Sequence, residues 1–104
     1  MARILRQGDV LVREITPELF HAERAFRQGA NSLALGSETG KTHSLQHLLY
    51  VDKAQKSAVL NNQETIQLIH PEHGILNIPP GYWQIERGVR EYAGRGLGVR
   101  VAYD

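Results

Sequence analysis

Turn chemistry interrupts this chain at short intervals: Gly8-Asp9, Thr16-Pro17, Gly36 to Gly40, Asp52 to Lys56, Asn61-Asn62, His70 to Gly74, Pro79-Pro80-Gly81 and Gly94 to Gly98. Between them lie short segments rich in β-branched and apolar residues, too short for ordinary helices and the right length for strands. The segments 3–6, 9–15, 32–35, 44–52, 57–60, 65–69, 75–78, 82–92 and 98–103 read as strands. In the first hairpin Val10, Val12 and Ile15 are expected on one face, with Asp9, Leu11 and Arg13 on the other. One helix is expected. Thr16 supplies a capping hydroxyl, Pro17 fits the first turn, and Glu18 complements the positive end of the dipole. Leu19, Ala22 and Phe26 follow at helical spacing, with Gly29 as the stop. Closely spaced strands with one short helix imply an all-β or mainly β fold, a small β-barrel or β-roll.

The length, 104 residues, suits one domain spanning 1–104. Charge is nearly balanced, 12 Lys and Arg against 11 Asp and Glu, so no net field favours nucleic acid or an anionic membrane. Arg3, Arg6, Arg24 and Arg27 are interleaved with Asp9, Glu14, Glu18 and Glu23, the pattern of a solvated mixed face. The absence of cysteine removes disulfides, thiolate metal sites and cysteine nucleophiles, and fits a reducing compartment. No run approaches the ~18 apolar residues of a membrane span, and the N-terminus lacks a signal peptide's apolar core. The expectation is a cytoplasmic protein with no membrane partner.

Gly36-Ser37-Glu38-Thr39-Gly40-Lys41-Thr42 comes near a phosphate-binding P-loop, but the first glycine is one residue too close to Gly40-Lys41-Thr42. No long helix is expected after it, so an ordinary loop is the preferred reading. The histidines carry more chemistry. His43 and His47 are four apart, and His70 and His73 are three apart within a Pro-containing loop. On a strand, residues four apart share a face but lie too far from one another for a single ion. The two loops can nevertheless each lend a histidine to one site, with Glu72 or Glu38 as carboxylate. Against this stands the plain reading of hydrogen-bonded histidines in polar loops. His21 falls on the helix and is expected to be exposed. Arg90 and Tyr92 share a strand face and suit an oxyanion or phosphate, while a cross-strand charge pair is the simpler alternative there. Trp83 and Ile85 read as core.

Gly8-Asp9-Val10-Leu11, the loop Gly36 to His43, His70-Pro71-Glu72-His73, Pro80-Gly81 and Arg90-Glu91-Tyr92 together resemble a small, uncharacterised bacterial and phage family. Its pattern is a Gly-Asp-Val-Leu start, a Thr-Gly-His-x-His loop, a His-x-Glu-His loop and a closing Arg-Glu-Tyr. Lys41 stands where the pattern has its first loop histidine. This weakens a His-x-His chelate and suits phosphate chemistry without a metal.

Three functions follow as expectations. The first is a phosphoester- or nucleotide-directed protein, such as a metal-independent RNase or phosphodiesterase. There His43, His73 and Lys41 are catalytic and Arg90 and Tyr92 bind phosphate, with a nucleotide or RNA as partner. The second is a metal-binding hydrolase holding a divalent ion such as Zn²⁺ on His43, His70, His73 and Glu72. The third is a binding or assembly module that forms homo-oligomers, with Leu48, Tyr50, Leu97 and Tyr103 as candidate surface.

Overall fold

The computed structural model describes residues 2–36, 40–54 and 56–87. The expected strand near 98–103, the distal part of 82–92, and the residues Glu38, Arg90, Tyr92, Leu97 and Tyr103 lie outside them. Eight strands and one helix follow in the order β1 (Ile4–Gln7), β2 (Val10–Glu14), α1 (Pro17–Arg24), β3 (Gln28–Gly36), β4 (Thr42–Val51), β5 (Ser57–Asn62), β6 (Ile66–His70), β7 (Gly74–Ile78) and β8 (Gly81–Arg87). All pairings are antiparallel. The lateral order β1-β2-β8-β5-β4-β6-β7 curls into a nearly closed barrel, with β3 on the remaining edge of β4. The ends of that order, β1 and β7, approach one another.

Alternation produces the core. Val10 and Val12, Leu33 and Leu35, Leu45 and Leu49, Ala58 and Leu60, and Trp83 and Ile85 point into one apolar interior. Burial of a side chain such as Leu60 contributes about 1.5–3 kcal/mol, so the closed interior is the main source of stability. Leu11, expected on the polar face, is buried as well. In the ladder it lies between Arg6 and Glu86, whose long aliphatic stems suit the covering of apolar surface.

The helix starts as expected, with the Thr16 hydroxyl accepting from the Leu19 amide at 3.1 Å and Pro17 in the first turn. It ends earlier and buries a different face. Phe20, not Leu19, Ala22 or Phe26, is its buried residue, and Phe26 is 86% exposed. The reason lies in the partner surface. The Phe20 ring meets Tyr50 and Tyr82 at 5.9 and 5.3 Å between centroids, above Ile15 and Val59. Two turns leave room for one such anchor. Tight turns from Glu23 to Phe26 and Arg24 to Arg27 then close the helix, and Arg27 bonds Glu23 and Ser57. Asn61 and Asn62, read as a turn, instead extend β5, pairing with Tyr82 and Gly81.

Gly36 ends β3 and Thr42 begins β4, so the P-loop-like segment joins two antiparallel strands. The strand-loop-helix frame of a phosphate-binding P-loop is absent at this point. Among the described residues no helix is long and apolar enough to cross a membrane.

Candidate functional site

The site lies at the seam where β1 meets β6 and β7. Gln7 and Val10 are paired across the turn Gly8-Asp9, and Gly8 has a φ of +61°, a conformation that favours glycine. On the other side, Ser44 and Leu45 of β4 pair with Ile69 and Leu68 of β6. One further step along the same register sets His43 opposite His70. Directly opposed residues on one face are the closest side-chain neighbours a sheet offers, and the two rings stand 4.4 Å apart. His73 completes the group, 4.5 Å from His70 and parallel to His43 at 6.1 Å.

The turn carrying His73 is wound around an imidazole. The backbone N–H groups of Glu72 and His73 both donate to His70 Nδ1, at 3.0 and 3.1 Å. The ring proton of neutral His70 therefore sits on Nε2. This local geometry carries the His73 ring onto Gly8. A Cβ at position 8 would stand 2.6 Å from His73 Nε2 and 3.4 Å from His43 Cε1, so the absence of a side chain there admits both rings.

Gln7 binds the seam together. Its Nε2 donates to the carbonyls of Leu68 and Gly74, each at 2.8 Å. With both amide hydrogens so used, Oε1 must accept, and it faces His43 Nδ1 at 2.9 Å. That fixes the proton of His43 on Nδ1. The other ring nitrogen, Nε2, faces Asp9 Oδ1 at 3.1 Å, and Asp9 Oδ2 accepts from Arg87 Nε at 3.2 Å. A hydrogen lies between His43 and Asp9 only when the pair holds one proton more than neutral imidazole plus carboxylate. Burial pulls the His43 pKa below 6.5, against the opposing pull of the Asp9 hydrogen bond and with added repulsion from His70 and His73. Burial would raise the pKa of Asp9, but hydrogen bonds from His43 and Arg87 outweigh it and hold the carboxyl below 3.8. The proton accordingly belongs to His43 and leaves on the acid side of neutrality. What remains is an acceptor facing an acceptor.

The structure brings His43, His70 and His73 together and keeps His47 and His21 apart from them. His43 and His70 are 0% and 1% exposed, whereas His73 and Glu72 are on the surface. Lys41 is exposed, immediately before β4. Arg87 holds the place beside Asp9, three residues before Arg90. Among the described residues no group of three or more His, Cys, Asp or Glu side chains is disposed to hold a metal ion. The His43 and His73 rings are parallel with His70 tilted against both, and Nδ1 of His70 and both nitrogens of His43 are engaged. Sequence reasoning assigned no site role to Gln7, Asp9 or Arg87. The available signal was the Gly8-Asp9 turn at the head of the family pattern.

A family model described as a domain of unknown function, DUF8820, matches residues 6–88. No curated protein and no solved structure matches the chain. The match takes in most of the chain and every described residue of the histidine cluster, and the protein belongs to the DUF8820 family.

Proposed function

We propose that the seam is a phosphoester-directed site working by acid–base chemistry without a metal, on a nucleotide or an RNA. The observation that carries the reading is the clustering of three imidazoles at the seam, two of them against Gly8 and one of those, His73, at the surface. In this reading His73 is the catalytic acid or base that meets the substrate. Lys41 and Arg87 supply positive charge at the rim, where it offsets charge developing on a phosphoryl group, and Arg90 and Tyr92 are further candidates on the chain beyond β8. His43 is wholly enclosed and reaches a ligand only through Asp9, whose side chain is 12% exposed. It is a positioning residue, and it sets whether the Asp9 edge carries a proton.

The test is an assay of purified protein on single-stranded RNA and on 2′,3′- and 3′,5′-cyclic nucleotides, with chelator present. Activity is expected, with a loss of about 10²–10⁴-fold in His73→Ala, the range of a general acid or base. His43→Gln is expected to shift the acid limb of the pH profile. Absence of turnover on every substrate, or full activity in His73→Ala, removes the reading.

A second reading, assembly by strand addition, is supported by β3. Along nine residues it pairs only with β4 among the described residues, and an open edge is a template for another strand. A monomeric mass in solution across the micromolar range would eliminate it.

A further inference from the structure

A second concave region lies away from the histidine seam, and its origin is a fork in the sheet. One edge of β4 is held by β3. The other is shared, with β6 pairing at Ser44 and Leu45 and β5 pairing at Tyr50 and Val51. From Gln46 to Leu49 that edge has no strand partner among the described residues. At the same point β4 bulges. Ala30 pairs with Leu49 and Ser32 with Gln46, so His47 and Leu48 together oppose Asn31. Bulges re-aim side chains and are over-represented beside functional sites. Here His47 turns back on its own strand, its Nδ1–H donating to the Leu48 carbonyl at 2.7 Å. Its Nε2 is left as an acceptor.

The fork opens into a groove of about 690 Å³, within the size range of small-molecule sites. Its lining is drawn from helix α1 with Phe20 and Arg24, from β4 with Leu48 and Tyr50, and from the β5–β6 turn with Glu64. The Arg24 guanidinium lies over the rings of Phe20 and Tyr50, at 5.9 and 5.5 Å from their centroids. Among the described residues it has no carboxylate partner. A planar cation already seated on two rings is pre-ordered to receive a carboxylate, with little rotamer entropy left to lose. Glu64, in the same lining, supplies the opposite charge. A simple anion would meet its repulsion, and a simple cation would meet that of Arg24.

We propose that this groove binds a small zwitterion with a planar apolar body, an aromatic α-amino acid being the simplest form. Its carboxylate meets Arg24, its ammonium meets Glu64, and its ring lies against Leu48 and Tyr50. The site is independent of the acid–base reading of the seam, and neither depends on the other.

The experiment is an amide ¹H–¹⁵N NMR titration of the full chain with L-phenylalanine, with 3-phenylpropionate and phenethylamine as singly charged analogues. Saturable shifts are expected at residues 46–50 and 61–66, with the analogues about tenfold weaker or worse. Arg24→Gln and Glu64→Gln, both at the surface, are each expected to lose about tenfold in affinity, equivalent to roughly 1.4 kcal/mol. Retained dispersion of the spectrum certifies that each variant is folded. No saturable shift with L-phenylalanine, shifts centred on Gly8 and His73, or unchanged affinity in both variants overturns the proposal. Tighter binding of 3-phenylpropionate, improved by Glu64→Gln, overturns it in favour of a plain anion.

Discussion

Between β1 and β7 the described residues form no backbone ladder, and the space is filled by Gln7, His43, His70 and His73. On the edge of β4 away from β3, a ladder is also missing from Gln46 to Leu49 among the described residues, and the space is left as an open groove. Both are gaps in one sheet, but solvent access separates them. At the seam Gln7, His43 and His70 are enclosed, so each of their hydrogen bonds must be made within the protein or its loss is felt in full. At the fork, water can satisfy what the protein does not, and the cost of leaving the edge unpaired is small. A gap can be closed by side chains only where their hydrogen-bond inventory is complete. The seam falls one hydrogen short of this once His43 gives up its proton.

The contrast is most directly broken at Gln7. Gln7→Leu removes two bonds to backbone carbonyls, one of them buried, and one to His43, and is expected to cost about 3 kcal/mol at roughly 1 kcal/mol or more for each group left unpaired. His47→Ala at the fork removes one exposed bond to Leu48 and is expected to cost less than about 1 kcal/mol. Urea unfolding of the two variants measures both, and similar losses would erase the distinction between the gaps. Next in size is Gly8→Ala. The left-handed backbone conformation alone costs about 1–2 kcal/mol for a residue with a Cβ, and the His73 ring must also move from a 2.6 Å clash. The His73 side-chain resonances in NMR are expected to shift, while those of His21 stay in place.

Acidification gives a smaller, graded effect. The folded pKa of His43 lies below 6.5 and that of Asp9 below 3.8. The unfolded chain therefore binds more protons than the folded one on the acid side of each value, and stability falls with pH in two windows. The first opens as pH drops below 6.5, and the second as it drops below 3.8. Thermal unfolding between pH 8 and pH 3 tests the sign, and a melting temperature that rises from pH 7 to pH 5.5 contradicts it. Asp9→Asn sharpens the same point. An amide at this position can donate to neutral His43 Nε2 and still accept from Arg87, supplying the missing hydrogen. The variant is expected to match or exceed the parent melting temperature at pH 8 and to lose that advantage as the pH falls and His43 becomes charged. The smallest effect is at the rim. Arg87→Gln breaks an ion pair whose guanidinium is 42% exposed, and its expected cost in unfolding experiments is below about 1 kcal/mol.

Much of the barrel was legible from local pattern. Turn residues separated most of the strands, and Trp83 and Ile85 read as core, as they are. The helix showed where such reading stops. Leu19, Ala22 and Phe26 have the right spacing, but which residue is buried was decided by Tyr50 and Tyr82, contributed from elsewhere in the chain. The site divides along the same line. His43, His70 and His73 stood out by residue type, and their meeting follows from one antiparallel register. Gln7 gave no signal, because an amide in a short strand usually faces water. It became structural only through closure of β1 on carbonyls more than sixty residues away. Asp9 likewise looked like ordinary turn chemistry, and its tie to a buried imidazole depends on that same closure.

The position of Trp83 has a practical consequence. The sequence contains a single tryptophan. Its ring is fully enclosed, its indole N–H donates to the Pro79 carbonyl at 2.8 Å, and the Arg3 guanidinium lies 5.0 Å from its centroid. The protein thus carries one sheltered chromophore seated in the barrel interior rather than at the seam. Its emission reports collapse of the whole barrel and is largely blind to local opening around Gly8, so fluorescence and histidine resonances followed side by side would separate the two events in time.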